Sequence, residues 1–294
     1  MEEIRLRANG LHFGALALGE GEERALLLHG FPDDPHSMVP LMERLARRGY
    51  RAVAPWMRGY GPTDVPADGD YQVAALASDV VGLLDALEWD TATVFGHDWG
   101  AVASYAACNM SPYRVEQLVT MSVPPMRLFL RNALRHPSQF GRSWYMFFFQ
   151  LPLLPEWWIS FDNFAVLEQL WRQVLEAAGR DDKQIEHVKK TFQQTGTLNA
   201  AIDYYRALLP RPGGPPGSFT QSWKLATGRI ERPTLMFGGE RDPAIAIETF
   251  EDPDEAFEAA WRLETFRDAG HFIQLQKADE IIDAFDDFAA RHAG

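Results

Sequence analysis

The residues with the clearest potential for chemistry lie between Thr91 and Gly100, in a stretch that reads Thr-Ala-Thr-Val-Phe-Gly-His-Asp-Trp-Gly. Residues 92–95 form a short β-branched and aromatic run, and small residues follow from Ala101. This pattern predicts a strand, a sharp turn and a helix, with Asp98 at the apex of the turn. A Gly-x-Nuc-x-Gly turn holds its central side chain in a strained, exposed position above a parallel sheet, and its glycines avoid collisions that a Cβ would cause.

Asp98 occupies the position at which an ester hydrolase carries serine. A carboxylate that attacks a saturated carbon becomes an ester, which a histidine-activated water can release, whereas a serine would become an ether. The expected substrate therefore has an sp3 electrophilic carbon. Because an Asp at a helix N-terminus is also a common N-cap, this interpretation depends on finding the rest of a catalytic set.

Strand and helix patterns alternate on both sides of this turn. Asn9-Gly10 is a strong hairpin signal, and Ser37 is a candidate cap for the first helix. The alternation predicts an α/β fold with a mostly parallel sheet and helices on both faces, and it places catalytic groups at the carboxyl ends of the strands. The predicted strands cover residues 3–8, 11–17, 25–28, 52–55, 92–95, 117–122, 233–237 and 262–266.

The strand patterns disappear between Met126 and about Thr227, where long aromatic and Leu-rich helical stretches take over. A Pro/Gly-rich loop at 210–217 interrupts these stretches. The pattern predicts a helical insertion within an α/β core. The predicted domains are a first core part at 1–124, a helical cap at 125–228 and a second core part at 229–294.

The composition of the chain limits the kinds of molecule that we expect it to bind. The 294 residues carry a formal charge of −13, which argues against nucleic acid or an anionic membrane surface and favours a small neutral substrate. The N-terminus lacks the pattern of a signal peptide, and no stretch approaches ~18 apolar residues, so we expect a cytoplasmic protein with no membrane span. Cys108 is the sole cysteine and no closely spaced His pair occurs, so we expect no metal site.

Three titratable residues follow predicted parallel strands in the order Asp98, Asp242, His271. The nucleophile, acid and histidine of the α/β-hydrolase fold follow this order. His271 would act as the general base, and Asp242 would hold its tautomer and stabilise the imidazolium. Glu240 competes for the role of Asp242, which we favour because it lies further into the loop. The strand that ends near Ser122 offers no carboxylate.

Two backbone amides complete this set. The residue after the nucleophile, Trp99, and the residue after the His-Gly pair, Phe31, are the expected oxyanion-hole donors. His29 and His97 are nearby, and we expect both to orient loops rather than to act as bases.

The chain resembles the soluble epoxide hydrolases of the α/β-hydrolase superfamily over nearly its whole length. The resemblance rests on His29-Gly30-Phe31-Pro32, on Gly96-His97-Asp98-Trp99-Gly100, on Gly239 and Asp242, and on Gly270-His271. It implies an α/β-hydrolase fold with an inserted cap and no cofactor. Two cap segments, Trp144-Tyr145-Met146-Phe147 and Asp203-Tyr204-Tyr205-Arg206, resemble those that carry the ring-opening tyrosines, which implies this role for Tyr145 and Tyr205.

Apart from the resemblance, the chemistry of epoxide opening supports the same role for Tyr145 and Tyr205. Opening an epoxide generates an alkoxide, so acidic hydroxyl donors aimed at the ring oxygen lower the barrier. Helical periodicity puts Tyr205 on the apolar face and points Tyr204 elsewhere. The expected substrate-binding set is Phe31, Trp99, Phe149, Tyr145 and Tyr205.

The predicted function is therefore hydrolysis of a small apolar epoxide to a vicinal diol through an ester on Asp98. The enzymatic alternative is a haloalkane dehalogenase with the same Asp-His-Asp set, in which Trp99 would hold the halide. That reaction needs a second halide donor; Phe31 stands where many dehalogenases have Asn, although Trp144 could substitute. A catalytically silent receptor would not need this set intact. The sequence leaves the oligomeric state open between monomer and homodimer.

Overall fold

The computed structural model describes residues 1–178, 182–210 and 218–292. The Pro/Gly-rich loop predicted at 210–217 lies, apart from Pro210, outside the described residues. Within the described ranges, no helix has the length and apolar content needed to cross a bilayer.

Eight strands of the described chain form one sheet, ordered β1-β2-β4-β3-β5-β6-β7-β8, in which β1 and β2 pair antiparallel with their neighbours and the others are parallel. Asn9 and Gly10 both have positive φ, as a two-residue hairpin turn between twisted strands requires. The predicted mostly parallel sheet is confirmed. Its strands are β1 (Glu2–Ala8), β2 (Leu11–Leu18), β3 (Glu23–Leu28), β4 (Tyr50–Pro55), β5 (Ala92–His97), β6 (Val115–Met121), β7 (Thr234–Gly239) and β8 (Trp261–Phe266).

The helices complete the layers of the fold. They are α1 (Val39–Arg47), α2 (Val73–Ala86), α3 (Trp99–Met110), α4 (Met126–Arg135), α5 (Ser138–Arg142), α6 (Trp144–Phe148), α7 (Leu154–Ala178), α8 (Lys183–Phe192), α9 (Thr197–Arg206), α10 (Ser218–Thr227), α11 (Ile273–Gln276) and α12 (Ala278–His292). Helices α1 and α12 pack together on one face of the sheet, while α2, α3 and α10 pack together on the other. This arrangement buries the central strands on both sides.

The prediction that Ser37 caps the first helix is wrong. A 3₁₀ turn, Pro35–Met38, precedes α1, and the side chain of Asp34 caps that turn through the amide of His36. The hydroxyl of Ser37 instead donates to Asp33 at 2.6 Å. The chain enters α1 through this turn, so no side-chain cap is formed at Met38.

Helices α4 to α10 all lie between β6 and β7, in the segment for which the sequence predicts an insertion. The long helix α7 is interrupted at residues 161–164, where four successive residues leave helical geometry. At the end of the insertion, α10 packs on α2 and α3, and Asn109 of α3 donates to the carbonyl of Leu225 at 2.7 Å. The insertion is therefore joined to the core by packing as well as by chain connectivity.

Candidate active site

Asp98 lies at the turn between β5 and α3, as predicted. Its backbone adopts φ 52° and ψ −116°, a conformation that is costly for a residue with a Cβ and that lifts the carboxylate off the sheet. Two glycines make room for the turn. A Cβ at Gly30 would collide with the side chain of Asp98, and a Cβ at Gly100 would collide with the carbonyl of Leu28. The contact at Gly100 explains why a glycine follows the candidate nucleophile by two residues, and the contact at Gly30 explains why the facing loop has a glycine.

The carboxylate of Asp98 is buried and held by two groups. Its Oδ1 accepts a hydrogen bond of 2.8 Å from the amide of Phe31, and its Oδ2 lies 3.5 Å from Nε2 of His271. Burial alone would raise the pKa of Asp98, but the hydrogen bond and charge of His271, with smaller effects from His97 and the Phe31 amide, lower it below its ordinary value. Asp98 is therefore an anion at neutral pH, with Oδ2 left for chemistry.

His271 joins Asp98 to the second carboxylate. Its Nδ1 donates to Oδ2 of Asp242 at 2.7 Å, and the other oxygen of Asp242 accepts from the amides of Ala244 and Ile245. Burial alone would lower the pKa of His271, yet Asp242 and Asp98 together raise it to about 10. Glu240, the competing carboxylate, is exposed. Asp242, and not Glu240, therefore contacts the imidazole of His271.

Two residues fix the backbone of His271: His97, which the sequence predicts to orient a loop, and Ser122, whose part in the site the sequence did not predict. Nε2 of His97 donates to the carbonyl of His271 at 2.9 Å, and the hydroxyl of Ser122 donates to the same oxygen. Ser122 directly follows β6 and has a φ of 69°. The positions of both residues at strand ends were visible in the sequence, but their shared acceptor was not.

His29 also positions a loop, as expected. Its Nδ1 donates to the carbonyl of Gly30 at 2.9 Å, and its Nε2 accepts from the amide of Met57 at 3.1 Å. Burial lowers the pKa of His29, so the ring is neutral with its proton on Nδ1. This ring fixes the backbone that leads to the Phe31 amide.

The two candidate ring-opening tyrosines lie next to each other above Asp98. The rings of Tyr145 and Tyr205 are 5.7 Å apart between centroids, and both line the cavity that contains Asp98 and His271. The hydroxyl of Tyr204 instead donates to the carbonyl of Arg58 at 2.9 Å. The structure therefore directs Tyr205 to the cavity and Tyr204 away from it, as the periodicity predicts.

Both tyrosine hydroxyls are weaker acids in this site than in water. Burial, and then the charge of Asp98, raise the pKa values of Tyr145 and Tyr205 above the ordinary value. Both hydroxyls are therefore protonated at neutral pH. They can serve as hydrogen-bond donors without first having to take up a proton.

Hydrogen bonds from side chains to backbone carbonyls fix the positions of these two tyrosines relative to each other. The side chain of Gln150 donates to the carbonyl of Tyr205 at 3.0 Å, and Arg206 donates to the carbonyl of Phe149 at 2.9 Å. These bonds join the end of α6 to α9. The indole of Trp171 in α7 donates to the carbonyl of Pro32 at 2.7 Å and so ties the insertion to the loop that carries Phe31.

A cavity of about 310 Å³ lies over Asp98 and His271. Its lining includes Phe31, Phe149 and both tyrosines of the predicted substrate-binding set, together with aliphatic side chains of α7. Trp99 does not line this cavity. It lies behind Tyr205, with ring centroids 5.1 Å apart, and lines a smaller cavity of about 50 Å³ on the other side of the tyrosines. Trp144 lines the larger cavity and is 53% exposed.

The sequence of this chain matches a known protein family and its members. A family profile described as the alpha/beta hydrolase fold matches residues 26–278. The chain is 31% identical over 285 residues to "Epoxide hydrolase 4" of Homo sapiens, and the alignment covers 95% of this chain and 75% of that protein.

Solved structures share the fold. An epoxide hydrolase of Bacillus megaterium in complex with an inhibitor matches with a TM-score of 0.86 at 21% identity, covering 98% of this chain and 100% of that chain. Epoxide Hydrolase A from Mycobacterium thermoresistibile matches with a TM-score of 0.81 at 25% identity, covering 98% of each chain. The predicted α/β-hydrolase fold is thereby confirmed.

Proposed function

Because the chain belongs to the epoxide hydrolases of the α/β-hydrolase fold, we propose that it converts an apolar epoxide and water to a vicinal diol through an ester on Asp98. One observation carries this proposal. The Asp98 carboxylate, the His271 imidazole and the hydroxyl-bearing rings of Tyr145 and Tyr205 line a single, otherwise largely apolar cavity. A carboxylate, a base and two neutral proton donors are the groups that opening an epoxide and hydrolysing the resulting ester require.

In the first step, Oδ2 of Asp98 attacks a ring carbon, and the bond between that carbon and the ring oxygen breaks. The electron pair of that bond goes to the oxygen, which is stabilised by hydrogen bonds from Tyr145 and Tyr205 and takes the proton of one of these hydroxyls. The proton that His271 gives up when Asp98 loses its charge restores that hydroxyl. The Phe31 amide, 2.8 Å from Oδ1, keeps the attacking carboxylate in place. Preorganised donors of this kind lower the barrier because they need no reorientation as charge develops.

Replacing Tyr145 or Tyr205 by Phe is expected to slow ester formation by roughly 10-fold to 1000-fold, about 1 to 4 kcal/mol of barrier, because one positioned donor is lost. Stopped-flow fluorescence of single turnovers measures this step. Tyr204→Phe is the matched control, since that hydroxyl donates to the carbonyl of Arg58. A larger loss in ester formation for Tyr204→Phe than for Tyr205→Phe would contradict the assignment.

In the second step, His271 removes a proton from water, and the resulting hydroxide attacks Cγ of Asp98. The tetrahedral intermediate places negative charge on the oxygen that the Phe31 amide already contacts, and we propose the Trp99 amide as the second donor. Collapse of the intermediate breaks the bond to the substrate oxygen, which takes the proton held by His271, and releases the diol. The proton of the attacking hydroxide leaves the Asp98 carboxyl and returns His271 to its protonated state. The oxygen from water stays in the Asp98 carboxylate.

The charge of Asp98 couples the two steps. In the free enzyme, Asp242 and Asp98 raise the pKa of His271 to about 10, so the imidazole is protonated at neutral pH and cannot act as a base. Ester formation removes the charge of Asp98 and with it one of the two causes of the raised pKa. The pKa of His271 is therefore lower in the ester than in the free enzyme, which favours its action as a base in the second step.

We propose that the insertion at 125–228 works as a cap over a core formed by 1–124 and 229–294. Its contribution of Tyr145, Phe149 and Tyr205 to the cavity supports this role. A cap that supplies the proton donors closes the site over the substrate and keeps bulk water from competing for the alkoxide.

The haloalkane dehalogenase alternative uses the same Asp98 and His271, so the leaving group must distinguish the two activities. An epoxide oxygen leaves while tethered and needs O–H donors, whereas a halide leaves free and favours N–H donors. Trp99 packs against Tyr205 outside the larger cavity, and Phe31 has no side-chain N–H. These features favour an epoxide as the substrate, although the indole of Trp144, an N–H donor, lines the cavity.

We therefore expect diol from a simple aryl or alkyl epoxide and little or no bromide from 1-bromobutane or 1,2-dibromoethane. Chiral gas chromatography of the diol and a bromide-selective electrode measure the two products from the same preparation. Bromide release with the epoxide untouched would transfer the assignment to a dehalogenase, with Trp144 as the missing donor.

A further inference from the structure

Exposed apolar side chains are concentrated on α6 and the first half of α7. Fourteen large apolar side chains are exposed among the described residues, and seven of them lie within residues 144–161. We call their surface the α6–α7 face; it consists of Trp144, Phe147, Leu151, Leu153, Leu154, Trp157 and Phe161. Single exposed apolar residues are ordinary, but a cluster of this kind marks a surface that contacts another molecule or a lipid phase.

Helix geometry and ring contacts place these side chains next to one another. Leu154, Trp157 and Phe161 recur at intervals of three and four residues and so share one side of α7. The rings of Trp157 and Phe161 are 5.6 Å apart between centroids. Trp144 of α6 contacts α7 through the ring of Trp158, whose centroid lies 6.2 Å away. The exposed residues of the two helices therefore form one surface.

The backbone between the two helices is strained at an exposed leucine. Leu153 has a φ of 64°, a left-handed conformation that is costly for a residue with a bulky side chain, and it is 80% exposed. Burial of the isobutyl group within the chain does not offset this strain. Strain that is kept at such a position is typical of functional surfaces.

The α6–α7 face is nearly free of charge in a strongly acidic chain. Residues 143–161 contain one charged side chain, Glu156, whereas the whole chain carries −13. The carboxylate of Glu156 is mostly buried and pairs with Arg206 at 2.7 Å. A chain of this net charge is repelled by an anionic surface but not by an uncharged one. The distribution of charge therefore fits an electrically neutral partner.

The larger cavity reaches the α6–α7 face. Trp144 belongs to the face and also lines this cavity, and Trp158 and Ile159, which follow the exposed Trp157, line it as well. A second copy of the chain seated on the face would cover Trp144 and obstruct this approach to the cavity. A fluid apolar phase would leave the approach open, and apolar molecules would be concentrated in it.

We propose that the α6–α7 face binds an uncharged lipid surface, and that an apolar epoxide passes from the lipid into the larger cavity. The binding is inferred from the surface alone, whereas the passage of an epoxide rests on the function proposed above. Tryptophan suits such a boundary, because its ring is apolar and its indole N–H can stay hydrated. Helices with an apolar side lie in the plane of a membrane at the level of the headgroups, so this contact does not need a helix that spans the bilayer.

Flotation with phosphatidylcholine vesicles in a density gradient tests the binding. The wild-type protein should rise with the vesicles. Leu153→Ser/Trp157→Ser should lower the lipid partition coefficient by roughly tenfold or more, because two large side chains no longer leave water. Replacing part of the phosphatidylcholine by phosphatidylglycerol should weaken the binding at low salt, since the chain carries −13.

Leu134→Ser/Trp223→Ser is the matched control for flotation. It removes the same two residue types from exposed positions of α4 and α10, outside the α6–α7 face, and should float like the wild type. Thermal melts establish that each variant is folded.

Rates of hydrolysis test the passage of the substrate. For a long-chain alkyl epoxide dissolved in the same vesicles, Leu153→Ser/Trp157→Ser should be slower than the wild type by roughly tenfold, the loss expected in partitioning. For a short, water-soluble epoxide the two proteins should have equal rates, because Leu153 and Trp157 lie outside the lining of the larger cavity.

A wild-type protein that stays in the aqueous phase, a Leu153→Ser/Trp157→Ser variant that floats equally well, or tighter binding to vesicles with phosphatidylglycerol would overturn the proposed binding. A wild-type dimer in sedimentation velocity that this variant abolishes, without flotation, would assign the face to a second copy. Equal rates for both proteins on the vesicle-borne epoxide would overturn the passage of substrate. Failure of the wild type to hydrolyse either epoxide would instead overturn the proposed function, while flotation would still decide the role of the surface.

Discussion

Asp98→Asn is expected to lower kcat for diol formation by roughly 10⁴-fold or more, since an amide does not supply the nucleophilic carboxylate on which the proposed ester depends. The change is nearly isosteric. The amide oxygen can still accept the hydrogen bond from Phe31, so the strained turn and the fold should persist. Initial rates of diol formation, measured by chromatography with a single epoxide, provide the comparison.

Glu240→Gln is the matched control for Asp98→Asn. The carboxylate of Glu240 is exposed, and Asp242 takes the hydrogen bond from His271. Replacing Glu240 should therefore leave kcat within about twofold, as for most surface changes. Intact-mass spectrometry after each assay checks that the introduced Asn has not been hydrolysed back to Asp. An Asp98→Asn enzyme that retains a tenth of the wild-type rate and an unchanged mass would show that Asp98 is not the nucleophile.

His271→Gln is expected to separate the two steps. Without its base, the enzyme should still form the ester but hydrolyse it roughly 10²-fold to 10⁴-fold more slowly, the usual contribution of a positioned base. The ester should then accumulate to nearly one equivalent per active site. Mass spectrometry should find an increase equal to one whole substrate molecule, located on the peptide that contains Asp98.

The double variant Asp98→Asn/His271→Gln supplies the control for this trapping experiment. It should show no adduct, because the acceptor carboxylate is absent. An adduct on any other residue of His271→Gln, or no adduct although the epoxide binds and the protein remains folded, would contradict the two-step scheme.

The sheet, the order of the candidate catalytic residues along the chain and the turn at Asp98 were predictable because they depend on local patterns. The β-branched run before Gly96, the small residues after Gly100 and the glycine before His271 each act within a few residues of the group they position. Parallel strands then bring their carboxyl ends to one edge, so residues far apart in the chain meet without any further sequence signal.

Other parts of the site depend on long-range contacts that have no sequence pattern. Ser122 and His97 both bond the backbone carbonyl of His271, and any residue can supply such an acceptor. The same holds for Arg142 and Gln139, whose acceptors are carbonyls in the loop after β7. The raised pKa values of the tyrosines arise from burial, which depends on how the insertion packs on the rest of the chain and not on the residues themselves.

In the proposed mechanism, the diol receives its new oxygen from Asp98 and not directly from water. A single turnover in H₂¹⁸O, with enzyme in excess over epoxide, distinguishes these two sources of oxygen. We expect an unlabelled diol and one ¹⁸O in the peptide that contains Asp98, because water attacks Cγ of the ester and its oxygen stays in the carboxylate. A labelled diol from the first turnover, with the Asp98 peptide unlabelled, would contradict it and would require direct attack of water on the epoxide.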